Sequence, residues 1–169
     1  MRARVMILAL GFVIVAVVIQ TTVFAPGRLQ PLGAPPNLVL LTVLAVDRYL
    51  EAEAALLVAF TAGLLVDLLG GSPLGLWAIS LTAAAYVAVK IRDRIEDNLL
   101  LTAISVFALT LLGQVLFVAV GTLFGLSTIT DPHLVRKLLL PAVYNVILAA
   151  PVYWLTSLAM KPLQRTWAP

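Results

Sequence analysis

Asp67 is the residue of this chain best placed to carry chemistry, because it lies inside an apolar run of helix length. The run, AEAALLVAFTAGLLVDLLGGSPLG, covers residues 52–75 and ends in a Gly-Gly-Ser-Pro turn. A charge at the bilayer centre costs about 3 kcal/mol on insertion scales, so the carboxylate is expected to face protein or water. We expect Asp67 to be the only acid inside a membrane span. Two interpretations stay open: a partner, ligand or proton site, or a structural acid that hydrogen-bonds the Gly70-Gly71-Ser72 turn.

Short residues recur at every fourth position on this run and on the next one. They are Ala55, Ala59, Gly63 and Asp67, followed by Ser80, Ala84 and Ala88. Residues four apart share one face of an α-helix, and small residues there allow membrane helices to approach closely. We therefore predict two helix-packing faces, one on each run.

Between the two runs, a turn is predicted from Gly70, Gly71, Ser72, Pro73 and Gly75. Gly70 and Gly71 break the first helix. Ser72 suits an N-cap and Pro73 suits a first helical position, so the next helix is predicted to begin there.

Uncharged polar side chains on other apolar runs form a second group of candidates. They are Gln20, Asn37, Gln114 and Asn145. One interpretation is that they hydrogen-bond neighbouring helices, at about 1 kcal/mol each. The other is that they line a polar cavity, together with Tyr86 and Tyr144.

The composition places the chain in a membrane. Of its 169 residues, 62% are hydrophobic and 11% are charged, whereas a soluble domain is about half apolar and about a quarter charged. The absence of cysteine and the single histidine exclude disulfides, thiolate nucleophiles and His clusters. Because the sequence has no P-loop, hydrolase elbow, zinc motif or carboxylate pair, we predict no enzyme, no cofactor and no metal site.

Apolar periodicity and breakers predict an all-α fold, a compact bundle of six transmembrane helices in one domain over residues 1–169. The spans are predicted at about 5–24, 37–50, 52–69, 73–90, 98–125 and 141–160. An amphipathic segment over about 132–140 is expected in the membrane interface, before Pro141 bends the chain into the last span. The first span is expected to be an uncleaved helix rather than a signal peptide, since no A-x-A-like site follows it.

The basic residues predict the orientation. They lie between the apolar runs, so the net charge of +3 reflects topology and gives no reason to expect nucleic-acid binding. With six spans and both termini in the cytoplasm, eight Lys and Arg lie inside and three outside. The opposite orientation reverses this ratio, so both termini are predicted to be cytoplasmic.

Residues 59–80, AFTAGLLVDLLGGSPLGLWAIS, resemble the signature region of the rod shape-determining protein MreD family. The resemblance rests on Gly63 and Asp67, on the small-residue turn, on the Pro-Leu-Gly of residues 73–75 and on the Pro36-Asn37 opening of helix 2. It implies a non-enzymatic scaffold of the bacterial elongation (rod) complex in the cytoplasmic membrane. The implied partners are the single-span protein MreC, the glycosyltransferase RodA, its penicillin-binding transpeptidase, the actin-like MreB, and membrane lipid. The small faces of helices 3 and 4 are the hypothetical docking site for the helix of MreC.

The alternative is a substrate-binding subunit of an energy-coupling-factor vitamin transporter, which is similar in size, span count and expected fold. Such subunits typically present an A-x-x-x-A-like surface on helix 1. Here Ala9 is followed four residues later by Val13, and Ala16 by Gln20, which counts against this alternative. For a channel or a proton-coupled carrier, Asp67 is the only titratable group that we expect inside the membrane spans.

Overall fold

The computed structural model describes residues 2–25, 28–94 and 98–165. Its six α-helices are α1 Arg2–Thr22, α2 Leu38–Asp47, α3 Ala52–Gly70, α4 Leu76–Ile91, α5 Leu99–Leu123 and α6 Leu134–Arg165. Within these residues there is no strand, and the all-α prediction is confirmed. Short 3₁₀ turns lie in the connections before α2, after α4 and before α6.

Four of the helices are long and apolar enough to cross a bilayer. They are Ala3–Thr22, Ala52–Gly70, Leu99–Leu123 and Leu134–Lys161. Many of their large apolar side chains point outward, as Ile7 of α1 does at 67% exposure. An apolar outer surface of this extent suits contact with lipid rather than water. The chain is therefore organised as a membrane protein.

The short helix α2 lies at the centre of the bundle. It contacts each of the five other helices, and nine of its ten residues, Val39 to Asp47, are buried. A helix that is apolar on all sides belongs in such surroundings. Because protein rather than lipid covers it, its length does not have to match the thickness of the hydrocarbon. This explains the short second apolar run.

The starts of α4 and α6 differ from the prediction. α4 begins at Leu76 rather than at Pro73, because Gly75 has a φ of +95° and interrupts the helix. α6 is one continuous helix from Leu134, so residues 134–140 are its first turns and not a separate segment. Pro141 is accommodated inside it, as prolines are in membrane helices whose neighbours support the backbone.

The α3–α4 hairpin is the closest helix pair in the bundle. At Gly63 an added Cβ would lie 2.3 Å from the Cα of Ala78 and 2.6 Å from the carbonyl carbon of Trp77. No side chain fits in that space, so the backbones of α3 and α4 meet directly. The glycine of the small-residue face is thus required by packing within the chain.

We expect Gly63→Ala to destabilise the protein by about 3 kcal/mol, the upper end for overpacking, because the obstacle is backbone and cannot move aside. Gly11→Ala is the matched control, since nothing lies within 4 Å of a Cβ at that position of α1. Thermal unfolding in detergent measures both variants. Equal midpoints for the two variants would contradict the close approach of α3 and α4.

Candidate functional site

Asp67 binds the start of α4. Its Oδ1 accepts a hydrogen bond from Ser72 Oγ at 2.6 Å, and both carboxylate oxygens lie 3.1 Å from the backbone N of Trp77. Its Oδ2 also accepts the backbone N–H groups of Gly75 at 2.9 Å and Ala78 at 3.4 Å. The first N–H groups of a helix have no partner within the helix, and the helix dipole favours a negative charge beside them. Asp67, only 2% exposed, is therefore the capping acid of the next helix.

The turn that brings Asp67 to α4 depends on left-handed backbone at two glycines. Gly70 ends α3, Gly71 follows with a φ of +74°, and Gly75 has a φ of +95°. Residues with a side chain adopt such values at a cost. The sequence predicted Ser72 as the N-cap of α4, but the cap comes from Asp67 eight residues before Gly75. Ser72 donates its hydroxyl to that carboxylate instead.

All seven residues of the two predicted packing faces are buried inside the chain's own bundle. They are Ala55, Ala59, Gly63, Asp67, Ser80, Ala84 and Ala88. The packing role is therefore met by helices of this chain, with α4 lying against the face of α3. This corrects the hypothesis that a partner helix docks on these faces, because no surface is left there for it.

A buried polar network joins α2 to α5 and α6. Asn145, fully buried, donates through Nδ2 to the Asn37 carbonyl at 2.9 Å and to Thr110 Oγ1 at 3.1 Å. Its Oδ1 accepts the Asn37 N–H at 3.1 Å, and the Asn37 side chain caps α2. Gln20 adds a bond from α1, accepting the Leu38 N–H at 2.9 Å. These amides hold the start of α2 in place.

A cavity of about 630 Å³ lies at this end of the bundle, lined by all six helices and by the connection before α2. Gln20, Asn37 and Gln114 line it, whereas Asn145 does not. Of the two tyrosines grouped with them, Tyr144 donates its hydroxyl to the Pro31 carbonyl at 3.0 Å. Tyr86 lies elsewhere, on a groove described below. The structure thus brings three of the four predicted polar side chains to one cavity.

At the rim of the cavity, Asp131 pairs with Lys137 and accepts the His133 N–H at 2.8 Å. The hydrogen bond from Lys137 is the main reason that the pKa of the Asp131 carboxyl is lowered, with the His133 N–H second. A lowered pKa keeps this acid ionised at neutral pH. Both charges of the pair are therefore neutralised by each other.

A second buried acid, Asp47, lies at the opposite end of the bundle. It is 2% exposed, and Arg92 Nη1 lies 3.9 Å from its Oδ1. The same nitrogen donates to the backbone carbonyls of Asp47 at 3.1 Å and Leu50 at 2.8 Å. Oδ1 of Asp47 has no hydrogen-bond partner among the described residues. Asp67 is thus not the only buried acid, and the Asp47-Arg48 pair closing an apolar run was the sequence signal for this one.

Arg48 extends this charged cluster to two more helices. Its Nη2 donates to Thr102 Oγ1 of α5 at 3.2 Å, and its guanidinium lies 4.4 Å from the ring centroid of Tyr153 in α6. A cation over an aromatic face is attracted by the ring quadrupole. These contacts tie the ends of α2 and α4 to the start of α5 and the middle of α6.

On the outer surface, an apolar groove of about 580 Å³ runs between α3, α4 and α5. We call it the α4 groove. Its lining residues on α4 have the spacing of one helix face, and the middle ones, Thr82 and Ala83, are small. Phe60 on α3 and Tyr86 on α4 are larger and stay 44% and 53% exposed. The surface is therefore recessed at α4.

We expect Asp67→Asn to destabilise the protein by about 1–3 kcal/mol, the range for losing hydrogen bonds made to a charged group. Asp67→Leu should cost more, because it removes every acceptor from the start of α4. Thermal unfolding compares the two with Ser72→Ala, which deletes one donor to the same carboxylate. An unchanged midpoint for Asp67→Leu would show that the cap does not hold the hairpin.

For the cluster at the other end, we expect Arg92→Leu to destabilise by about 3–5 kcal/mol, because it leaves a buried carboxylate without its cation. The double variant Asp47→Asn/Arg92→Leu should recover part of this loss. Unfolding free energies of both single variants and the double variant give the coupling. Additive effects would mean that the two groups do not interact.

The family model for rod shape-determining protein MreD matches residues 1–159 of the chain. No curated protein and no solved structure matches the chain. The likeness to the fold of vitamin-transporter subunits, expected from the sequence, accordingly stays a prediction.

Proposed function

Since the chain belongs to the MreD family of rod shape-determining proteins, we propose that it is a non-enzymatic membrane scaffold of the bacterial elongation complex. In this role it binds MreC and supports peptidoglycan synthesis along the side wall. RodA, the penicillin-binding transpeptidase and MreB associate with it directly or through MreC. The observation that carries the proposal is the family match, which covers the chain from residue 1 to residue 159. The same match disfavours the vitamin-transporter alternative.

The internal use of the buried polar groups supports a scaffold. Asp67 is committed to the start of α4, and Asn145 is committed to the backbone of α2. Proton-coupled carriers need titratable groups that change partners as they work. Asp67, the titratable one of these two side chains, instead makes five hydrogen-bond contacts with protein groups at one place, the turn and the start of α4.

Orientation follows from the basic residues. We propose both termini at the cytoplasmic face of the inner membrane, in line with the distribution of Lys and Arg. Arg48 and Arg92 share one end of the bundle through the Asp47 cluster, which supports placing the two connections that carry them on one side. The cavity end then faces outward.

For the helix of MreC, we propose docking in the α4 groove, since the small-residue faces are covered. Association of helices in lipid is driven by close van der Waals contact, and small residues allow it. Thr82 and Ala83 provide such a recessed surface between larger neighbours on α3 and α5. The exposed side chains of α1, such as Ile7 at 67%, stand on a single convex helix and give less contact.

We expect Ala83→Trp to fill the α4 groove, to reduce co-purification of MreC about tenfold, and to give round cells when it replaces the native protein in a rod-shaped host. Ala150→Trp is the matched control, since Ala150 is exposed on α6 and outside the groove. Pull-down from native membranes and cell shape after depletion of the native copy are the two measurements.

The two readouts separate the parts of the proposal. Full recovery of MreC with Ala83→Trp would refute the groove as the docking site. Failure of the unsubstituted protein to recover MreC would refute MreC binding itself. Normal rods after depletion of the protein would overturn the scaffold function.

A further inference from the structure

The 630 Å³ cavity has the size and surface of a ligand site. Pockets for small molecules occupy about 300–1,000 Å³ and combine mostly apolar walls with a few polar groups. Here the apolar part comes from side chains such as Val39, Val66, Leu81 and Val118. The polar part comes from carboxamides on α1, α5 and the connection before α2, namely Gln20, Gln114 and Gln30.

Gln114 distinguishes this cavity from a packing defect. Gln20 accepts a backbone N–H at 2.9 Å and Gln30 donates to the Ala25 carbonyl at 3.4 Å. Gln114, by contrast, makes no hydrogen bond with any described residue. Gln114 is partly exposed and lines the cavity, and a primary amide both donates and accepts hydrogen bonds. Its position on the lining therefore points to a ligand that supplies both an acceptor and a donor.

The charges at the cavity narrow the class of ligand. Asp131 and Lys137, the two charged residues that line it, are bonded to each other, so the lining itself carries no unpaired charge. Amide side chains both donate and accept while staying neutral. Such groups match hydroxyl or amide groups better than a phosphate, which is bound by cationic side chains or free backbone N–H groups.

Aromatic rings complete one wall. Trp77 and Phe117 stack with their ring centroids 4.3 Å apart, and both line the cavity. A flat apolar ring surface beside amide groups suits a molecule with one polar and one apolar side.

We propose that this cavity binds an uncharged polar group rich in hydroxyl or amide groups, with the apolar part of the same molecule against the aliphatic wall, and that Gln114 makes its specifying hydrogen bonds. The polar group comes either from a membrane lipid or from a free small molecule of the same chemistry. This inference rests on the cavity alone and does not depend on MreC binding.

The first experiment is native mass spectrometry of the full chain in nanodiscs cut directly from native membranes. An adduct with an uncharged polar group supports the proposal: fragments that carry acyl or isoprenoid chains indicate a lipid source, and their absence indicates a soluble one. Adducts limited to anionic phospholipids would overturn it.

The second experiment titrates reconstituted protein with octyl glucoside, a neutral hydroxyl headgroup on a tail, and with octyl phosphate, its charged counterpart. Octyl glucoside should bind more tightly. Gln114→Leu should weaken it about tenfold, as loss of a hydrogen bond does, and Val118→Phe should abolish binding by filling the cavity. Thr61→Val is the control, because Thr61 is exposed on α3 and bonds only its own helix at Leu57.

Thermal unfolding of Gln114→Leu separates a ligand role from a structural one. Because Gln114 has no partner within the described chain, its replacement should leave the midpoint unchanged or raise it. A midpoint lowered by several degrees would make Gln114 a packing residue and overturn the proposal. Equal binding of octyl glucoside and octyl phosphate, or unchanged binding by Gln114→Leu, would overturn it as well.

Discussion

A carboxylate inside a membrane-spanning helix must be satisfied by other protein groups, and the contact between Asp67 and the start of α4 meets this requirement. The first N–H groups of α4 and the charge of Asp67 would each be costly to bury alone. Because the carboxylate accepts these N–H groups, each satisfies the other. The contact also fixes the direction in which α4 returns across the bundle. The backbone contact at Gly63 then holds α3 and α4 in register. Helices α1, α2 and α5 pack against this hairpin.

A related constraint explains the short α2. Its polar ends have to be satisfied inside protein, because the other five helices surround it. Asn37 and Asn145 meet this need at one end, and the contacts between Asp47 and Arg92 at the other. With both ends tied down, an apolar segment of ten residues forms a stable core without facing lipid. The polar residues of the bundle thus act mainly as internal ties.

This arrangement limits what the molecule can present to other molecules. The small-residue faces are buried within the chain, so we proposed the α4 groove and the cavity as the sites for other molecules. The family implies a role in rod shape determination. The scaffold function that we propose would use the recessed α4 groove, and the cavity with its amide side chains is the proposed site for an amphipathic molecule.

The sequence by itself determined the membrane character, the all-α fold, the number of helices and the family, because composition, hydrophobic periodicity and local turn residues are properties of short segments. It also identified Asp67 as an acid within an apolar helix and the small residues as packing faces, but not the groups that they contact. Tertiary structure decided which surfaces those residues contact: the residue spacing 55–59–63 is equally suited to a foreign helix and to α4. It likewise revealed the buried state of Asp47 and the convergence of Gln20, Asn37 and Gln114 on one cavity. Those facts depend on how distant helices pack, and no local pattern encodes the distance between side chains that lie far apart along the chain.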